Sequence, residues 1–363
     1  MVMNRTRALP RPGVAALAAV LLLSGCRHEA ATVDRFAPAP DGRYDSHPPI
    51  QPVSDHLSRI SEAVKMLSTV AYYRNYFIPG SERLTAGAVT PDVLSRFSAG
   101  ATYTNTTLAA STILLSCRSR RVLLLSAAHV LDFPDTSISF HADADGRPGQ
   151  FVRAVSVKEK QVNYVAVLPE GGELEIIALD RTLDVALLGR AFSGDPCLTM
   201  KTVALAGGTA AELEWGTHVF IFGYPSGLRM VTSGIVSSPR RDRNASFLVD
   251  AASNRGYSGG PVLAVRDGVP NFELVGIVRQ VSAHSSFVLV PEREEGRDYD
   301  PGMPYTGSAF PERLTEVDHG MTQVTSVEVI RDFLETARPG VESQGFSLDG
   351  ILAPPDAGAA RPD

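Results

Sequence analysis

Clustered positive charge, membrane-length apolar runs and long helical repeats are all missing from this 363-residue sequence, and cysteine, at three residues, is scarce. A net charge of -6 without long runs of either sign leaves no basic face of the kind nucleic acid requires. The one basic knot, Arg240, Arg241 and Arg243, reads as a solvated loop. Three cysteines are too few for a disulfide framework, so a hydrophobic core must hold the fold. With 44% hydrophobic and 20% charged residues the chain has the material for one, and disorder is expected only locally. No internal repeat is visible, and one domain with appendages is expected.

The longest apolar run, "GVAALAAVLLL", follows Arg5, Arg7 and Arg11 and is too short to span a bilayer comfortably. It reads as the core of a secretory signal peptide over residues 1–25. The run ends in "LSGC", which resembles the lipobox of bacterial lipoproteins; the resemblance implies cleavage before Cys26 and acylation of its thiol. The expected location is the bacterial cell envelope, facing the periplasm or the cell surface, with a lipid on Cys26 as the membrane contact. Such a compartment permits disulfides, and Cys117 and Cys197 are read equally as a pair or as two buried thiols.

Residues 26–53, rich in Pro, Ala and Asp, are expected to form a disordered tether. Leu57, Ile60, Val64, Leu67 and Val70 recur at spacings of three and four, which predicts an amphipathic helix within a helical segment over 54–95. From about residue 96 the texture changes to some eleven short β-rich runs, among them "RVLLLSAAHV", "DVALLGR", "HVFIFGY" and "ELVGIVRQV", separated by "DADGRPG", "EGGE" and "RDGVPN". This predicts an all-β antiparallel barrel or sandwich. A short helix capped by Ser326 closes the domain at about residue 338, and residues 339–363 are expected to be a disordered tail.

Three patterns carry chemistry. "LLLSAAHVLD" places His129 after a β-run, "RTLDVALLGR" places Asp184 at the head of another, and "NRGYSGGPVL" surrounds Ser258 with glycines. A serine hydroxyl needs an adjacent base to act as a nucleophile near neutral pH, histidine supplies one, and a buried aspartate fixes its tautomer. Together, in this order, the segments resemble the trypsin-like serine peptidases, over about 190 residues from Ala101 to Pro291 and including "FGYPSG" and "SGIVSS". The HtrA/Do-like bacterial branch is the most similar, although the residues after Pro291 are too few and too polar for the PDZ domain its members usually carry.

That resemblance implies two antiparallel six-stranded β-barrels, flanked here by the N-terminal and C-terminal helices. It implies a serine endopeptidase with a triad of His129, Asp184 and Ser258, and an oxyanion hole from the N–H groups of Gly256 and Ser258. It also places Ala252 at the base of the S1 pocket, favouring a small or medium apolar side chain. Arg279, Gln280 and Val281 fall on the substrate-pairing edge, and the alternative role for Arg279, with Arg255, is to receive an acidic substrate group. Protein or peptide is the expected substrate, and no cofactor or metal is called for. Tyr257 stands where zymogens carry an aspartate, which argues against activation by a freed N-terminus.

Two other readings use the same residues. A trypsin-like scaffold kept for binding or envelope assembly would share the fold without turnover. "GYSGG" also fits the nucleophile elbow of α/β-hydrolases, with His284 or His319 following the serine, but that elbow needs a helix after Ser258 where "GGPVL" breaks one.

Overall fold

The Val, Ile and Leu runs of this chain pair into two closed sheets, each with an extra strand on one edge. The structure is a computed structural model and describes residues 40–143, 147–198, 200, 202–203, 205–239, 246–252, 254–291, 302–303 and 305–353. The first sheet holds β1 (Val64–Phe77), β2 (Thr102–Arg118), β3 (Arg121–Ser126), β4 (Thr136–Ala142), β5 (Pro148–Tyr164), β6 (Glu173–Asp180) and β7 (Val185–Ala191). Its order β1-β2-β3-β7-β6-β5 closes by pairing β5 with β1, giving a six-stranded antiparallel barrel, and β4 extends it beside β5.

The second sheet holds β8 (Ala206–Gly207), β9 (His218–Gly223), β10 (Met230–Ser238), β11 (Ser246–Asp250), β12 (Pro261–Val265), β13 (Phe272–Pro291) and β14 (Ala309–Ser326). The order β12-β9-β10-β11-β14-β13 closes where β13 returns to β12, a second six-stranded antiparallel barrel, with short β8 parallel to β13. Three α-helices accompany the barrels among the described residues: α1 (Ser54–Ala63), α2 (Pro91–Ser95) and α3 (Val327–Ser343). Fully buried Leu123, Leu125, Val219, Ile221, Val262, Leu274 and Ile277 fill the core with no regard to the polar alternation of half-exposed sheets. The strand that follows Ser258 is β12, so the helix that an α/β-hydrolase elbow requires is not there.

Three boundaries differ from those expected. The amphipathic pattern from Ser54 yields only ten helical residues, and at Val64 the chain turns into β1. Val64, Thr69, Val70, Tyr72, Tyr73, Tyr76 and Phe77 favour a pleated strand, and β1 pairs on one side with β2 and on the other with β5, so tertiary pairing overrides a spacing of three and four. The first barrel therefore begins some thirty residues before residue 96, the start expected from the sequence.

The supposed tether is built onto the second barrel from residue 40 onward. Asp45 donates its N–H to the Val265 carbonyl, His218 donates its N–H to the Asp45 carbonyl, and Tyr44 is 8% exposed, with its hydroxyl on Glu273 at 2.8 Å. Residues 1–39, including the signal peptide and Cys26, lie outside the described residues.

The tail expected to be disordered from residue 339 is ordered as far as 353. Ser326 caps α3, which continues through Pro339 to Ser343, and Phe346, Leu348 and Leu352 are buried beyond it. Arg331 binds the Leu352 and Gly208 carbonyls, and Gly207 donates its N–H to Ala353. The few apolar residues among the Gly and Asp of this segment are enough to seat it; residues 354–363 lie outside the described residues.

Candidate active site

Register explains why two residues 55 positions apart meet. β3 ends at Ser126 opposite Ala186 of β7, so the turn leaving β3 and the turn entering β7 are neighbours at one end of the first barrel. The first carries His129 in the short helical turn Ala128–Val130; the second carries Asp184, buried at 6% exposure in a left-handed conformation with φ of 59°. Asp184 Oδ1 accepts the backbone N–H of His129 at 2.8 Å, and its two oxygens lie 2.9 and 3.1 Å from His129 Nδ1. An ionised carboxylate only accepts, so Nδ1 carries the proton and Nε2 is left with its lone pair. Ser258 Oγ is 3.1 Å from Nε2.

The serine comes from the second barrel. Asn254 to Tyr257 form a turn closed by the Tyr257 N–H on the Asn254 carbonyl at 3.2 Å, with Gly256 at the third position and φ of 109°. That sign of φ is what a type II turn needs there. A Cβ on Gly256 would stand 2.4 Å from the Tyr224 carbonyl oxygen, so neither space nor conformation admits another residue. Neither the Gly256 nor the Ser258 N–H takes a hydrogen-bond partner among the described residues. Tyr257 points the other way and is 2% exposed, and burial pushes its phenol above the usual range.

Ser111, on β2, ties the two barrels together at this point and was not among the residues expected from sequence. Its N–H donates to the Ser258 carbonyl at 2.8 Å; its hydroxyl donates to the Gly256 carbonyl at 2.6 Å and accepts the Tyr224 N–H at 2.9 Å. Ser126 Oγ in turn donates to the Ser111 carbonyl. A lone serine inside a strand carries no sequence signal for such a role.

The residues expected to bind substrate are spread more widely. Ala252 is exposed just before the turn and Arg255 is exposed within it. Arg279 leaves β13 toward the first barrel, where its guanidinium lies 3.8 Å from Asp184 Oδ2 and donates to the Thr182 carbonyl at 3.3 Å; its charge is thus directed at Asp184. Gln280 and Val281 lie opposite Gln323 and Thr322 of β14. His129 keeps 44% of its side chain exposed, so the site opens to solvent. A cavity of about 150 Å³ lies elsewhere, between β2 and the C-terminal segment, and no triad candidate lines it.

Cys117 and Cys197 form a disulfide that closes 80 residues of the chain and pins β2 to the turn Pro196–Leu198. Among the described residues no group of three or more His, Cys, Asp or Glu side chains is placed to hold a metal.

Residues 110–277 match the family model of the trypsin-like peptidase domain. The match begins beside Ser111 and spans His129, Asp184 and Ser258. Among solved structures the chain is similar to a serine endoprotease from Yersinia pestis, at 16% identity and a TM-score of 0.38, over 79% of this chain and 66% of that one. The chain thus spans just under two thirds of that protein's length. No curated protein sequence matches it.

Proposed function

We propose that the protein is a serine endopeptidase that cleaves peptide bonds through an acyl-enzyme intermediate. The observation that supports this most strongly is the continuous relay from Asp184 through His129 to Ser258, at 2.9 and 3.1 Å. As Ser258 Oγ bonds to the substrate carbonyl carbon, its proton passes to His129 Nε2, and Asp184 stabilises the imidazolium. The carbonyl oxygen takes up the negative charge against the N–H groups of Gly256 and Ser258, each contributing on the order of 3 kcal/mol to the barrier reduction. His129 then protonates the leaving amine, and a water attacks the acyl-enzyme by the same route in reverse. Arg279, its guanidinium 3.8 Å from Asp184 Oδ2, helps hold that carboxylate, while Ala252, Arg255 and the backbone at Gln280 and Val281 meet the acyl side of the substrate. A small residue at Ala252 favours a small or medium apolar P1 side chain.

Lipid attachment at Cys26 and residence in the bacterial cell envelope belong to the same proposal. The lipobox-like "LSGC" and the Cys117–Cys197 disulfide support them, since disulfides persist outside the reducing cytoplasm. Casein or peptide hydrolysis by the purified chain tests the activity. The reading requires turnover that disappears, to roughly 1 part in 10⁴ or less, in both Ser258→Ala and His129→Ala. Full hydrolysis by a folded Ser258→Ala protein would refute it.

A further inference from the structure

β2 is much longer than its partner in the barrel. It pairs with β3 only from Ile113 onward, whereas its pairing with β1 runs back without a register shift to Thr102. From Thr102 to Ala109 it is therefore the outer strand of a sheet that continues through β1, β5 and β4, and every residue of that stretch is exposed. Ser111 fixes which backbone groups face outward: its N–H reaches Ser258 and its carbonyl meets Ser126, so both point away from β1. Because strand geometry repeats every second residue, Ala109, Thr107, Asn105 and Tyr103 direct their N–H and C=O groups to the same side. Among the described residues no other strand pairs with that edge.

Exposed edges are normally guarded by lysine, proline or a bulge. "TYTNTTLA" has none of these: it carries no charge and no proline, and it is built from strand-forming Thr and Tyr. On the face of Asn105 the cross-strand neighbours are Tyr72, exposed at 43%, and Arg74, whose guanidinium lies 5.8 Å from the Tyr103 ring. Such a row of amphipathic side chains tolerates varied sequences.

We propose that this edge is an extended binding site for the part of a polypeptide substrate C-terminal to the scissile bond, which adds to β2 as an antiparallel strand. The inference rests on the endopeptidase reading above. Continuity with the nucleophile selects this occupant. A chain lying on the edge at Ala109 is next to Ser258 through Ser111, and one that runs away from the nucleophile with its C-terminus leading is antiparallel to β2. At about 3.3 Å per residue the edge extends some 23 Å, enough for roughly seven substrate residues beyond those held at the cleaved bond. The preferred substrate class is an unfolded or extended polypeptide with a long segment after the cut, and a short peptide ending just past the bond is a poor substrate.

The test uses the full chain and two peptides that share one acyl side and one scissile bond but carry two or ten residues beyond it. The expected result is a kcat/KM larger by roughly tenfold or more for the long peptide. Two N-methylated series, each blocking one alternate set of amides after the bond, sharpen it: one set removes the gain and the other retains it. Asn105→Pro, which deletes an outward N–H without touching the bonds to β1, should pull the long-to-short ratio toward one. If that variant fails to fold, the methylated series decides alone. Equal kcat/KM for the two lengths, or equal loss from both methylated sets, overturns the extended site while leaving the endopeptidase reading intact. Cleavage of neither peptide overturns the endopeptidase reading, and the inference falls with it.

Discussion

The Ser111 hydroxyl donates to the Gly256 carbonyl at 2.6 Å, so a side chain of the first barrel holds the turn that presents the nucleophile of the second. That carbonyl belongs to the peptide whose rotation would redirect the neighbouring N–H groups. Ser111 is completely buried and also takes the Tyr224 N–H, so its loss leaves the Gly256 carbonyl and the Tyr224 N–H with only the long 3.4 Å bond between them. Ser111→Ala should cost about 1–3 kcal/mol of stability by chemical denaturation. It should also lower kcat roughly tenfold or more through misplacement of the turn, whereas a stability loss at unchanged kcat would show that the turn keeps its shape unaided.

Gly256→Ala addresses the oxyanion site itself. The φ of 109° and the 2.4 Å approach to the Tyr224 carbonyl force the turn to change if a methyl group is added. The expected outcome is a kcat reduced at least ~100-fold in a protein whose far-ultraviolet spectrum is unchanged. Near-normal kcat would mean that this N–H does not meet the oxyanion.

The His129, Asp184 and Ser258 segments were legible because each is a local pattern of residue type beside a β-run, and the two-barrel architecture follows from the family those segments resemble. Ser111 was invisible, since its importance comes from long-range register and not from its neighbours. β1 was hidden behind a helical spacing that ends at Ala63, and only the strand-forming content of "VKMLSTVAYYRNYF" hints at it. The ordered segments at both ends were missed for a shared reason. Tyr44 and Leu352 are single anchors in polar, Pro- and Gly-containing sequence, and an average over composition dilutes them.

The N-terminal segment offers a test of its own. Tyr44 bridges buried Glu273 and the Thr209 N–H, and Arg266 lies over its ring at 4.0 Å while pairing with Glu273 and Glu212. Burial holds the Tyr44 phenol well above its ordinary value of 10.0. The folded protein therefore keeps this proton where the unfolded chain releases it, so the stabilisation is complete below about pH 10 and declines as pH rises above it. Tyr44→Phe should lower stability by about 1–3 kcal/mol near neutrality, because Glu273 loses a donor, and should reduce the slope of stability against pH above 10. An unchanged slope in thermal melts would show that Tyr44 titrates normally.

The disulfide is also open to measurement. Closing 80 residues restricts the unfolded chain, and the chain-entropy estimate for a loop of that size is about 4.5 kcal/mol. Cys117→Ala with Cys197→Ala should lose a stability of that order, matched by reduction of the unaltered protein and absent on reducing the double variant. Equal denaturation midpoints for the variant and the oxidised protein would remove the disulfide from the account.

The central claim is that Ser258 is an activated nucleophile, and covalent labelling by a fluorophosphonate reads this directly. The expected result is stoichiometric modification mapped by mass spectrometry to Ser258, lost in His129→Ala and in denatured protein. Failure of the folded chain to label at Ser258 would contradict the account and leave a trypsin-like scaffold without turnover.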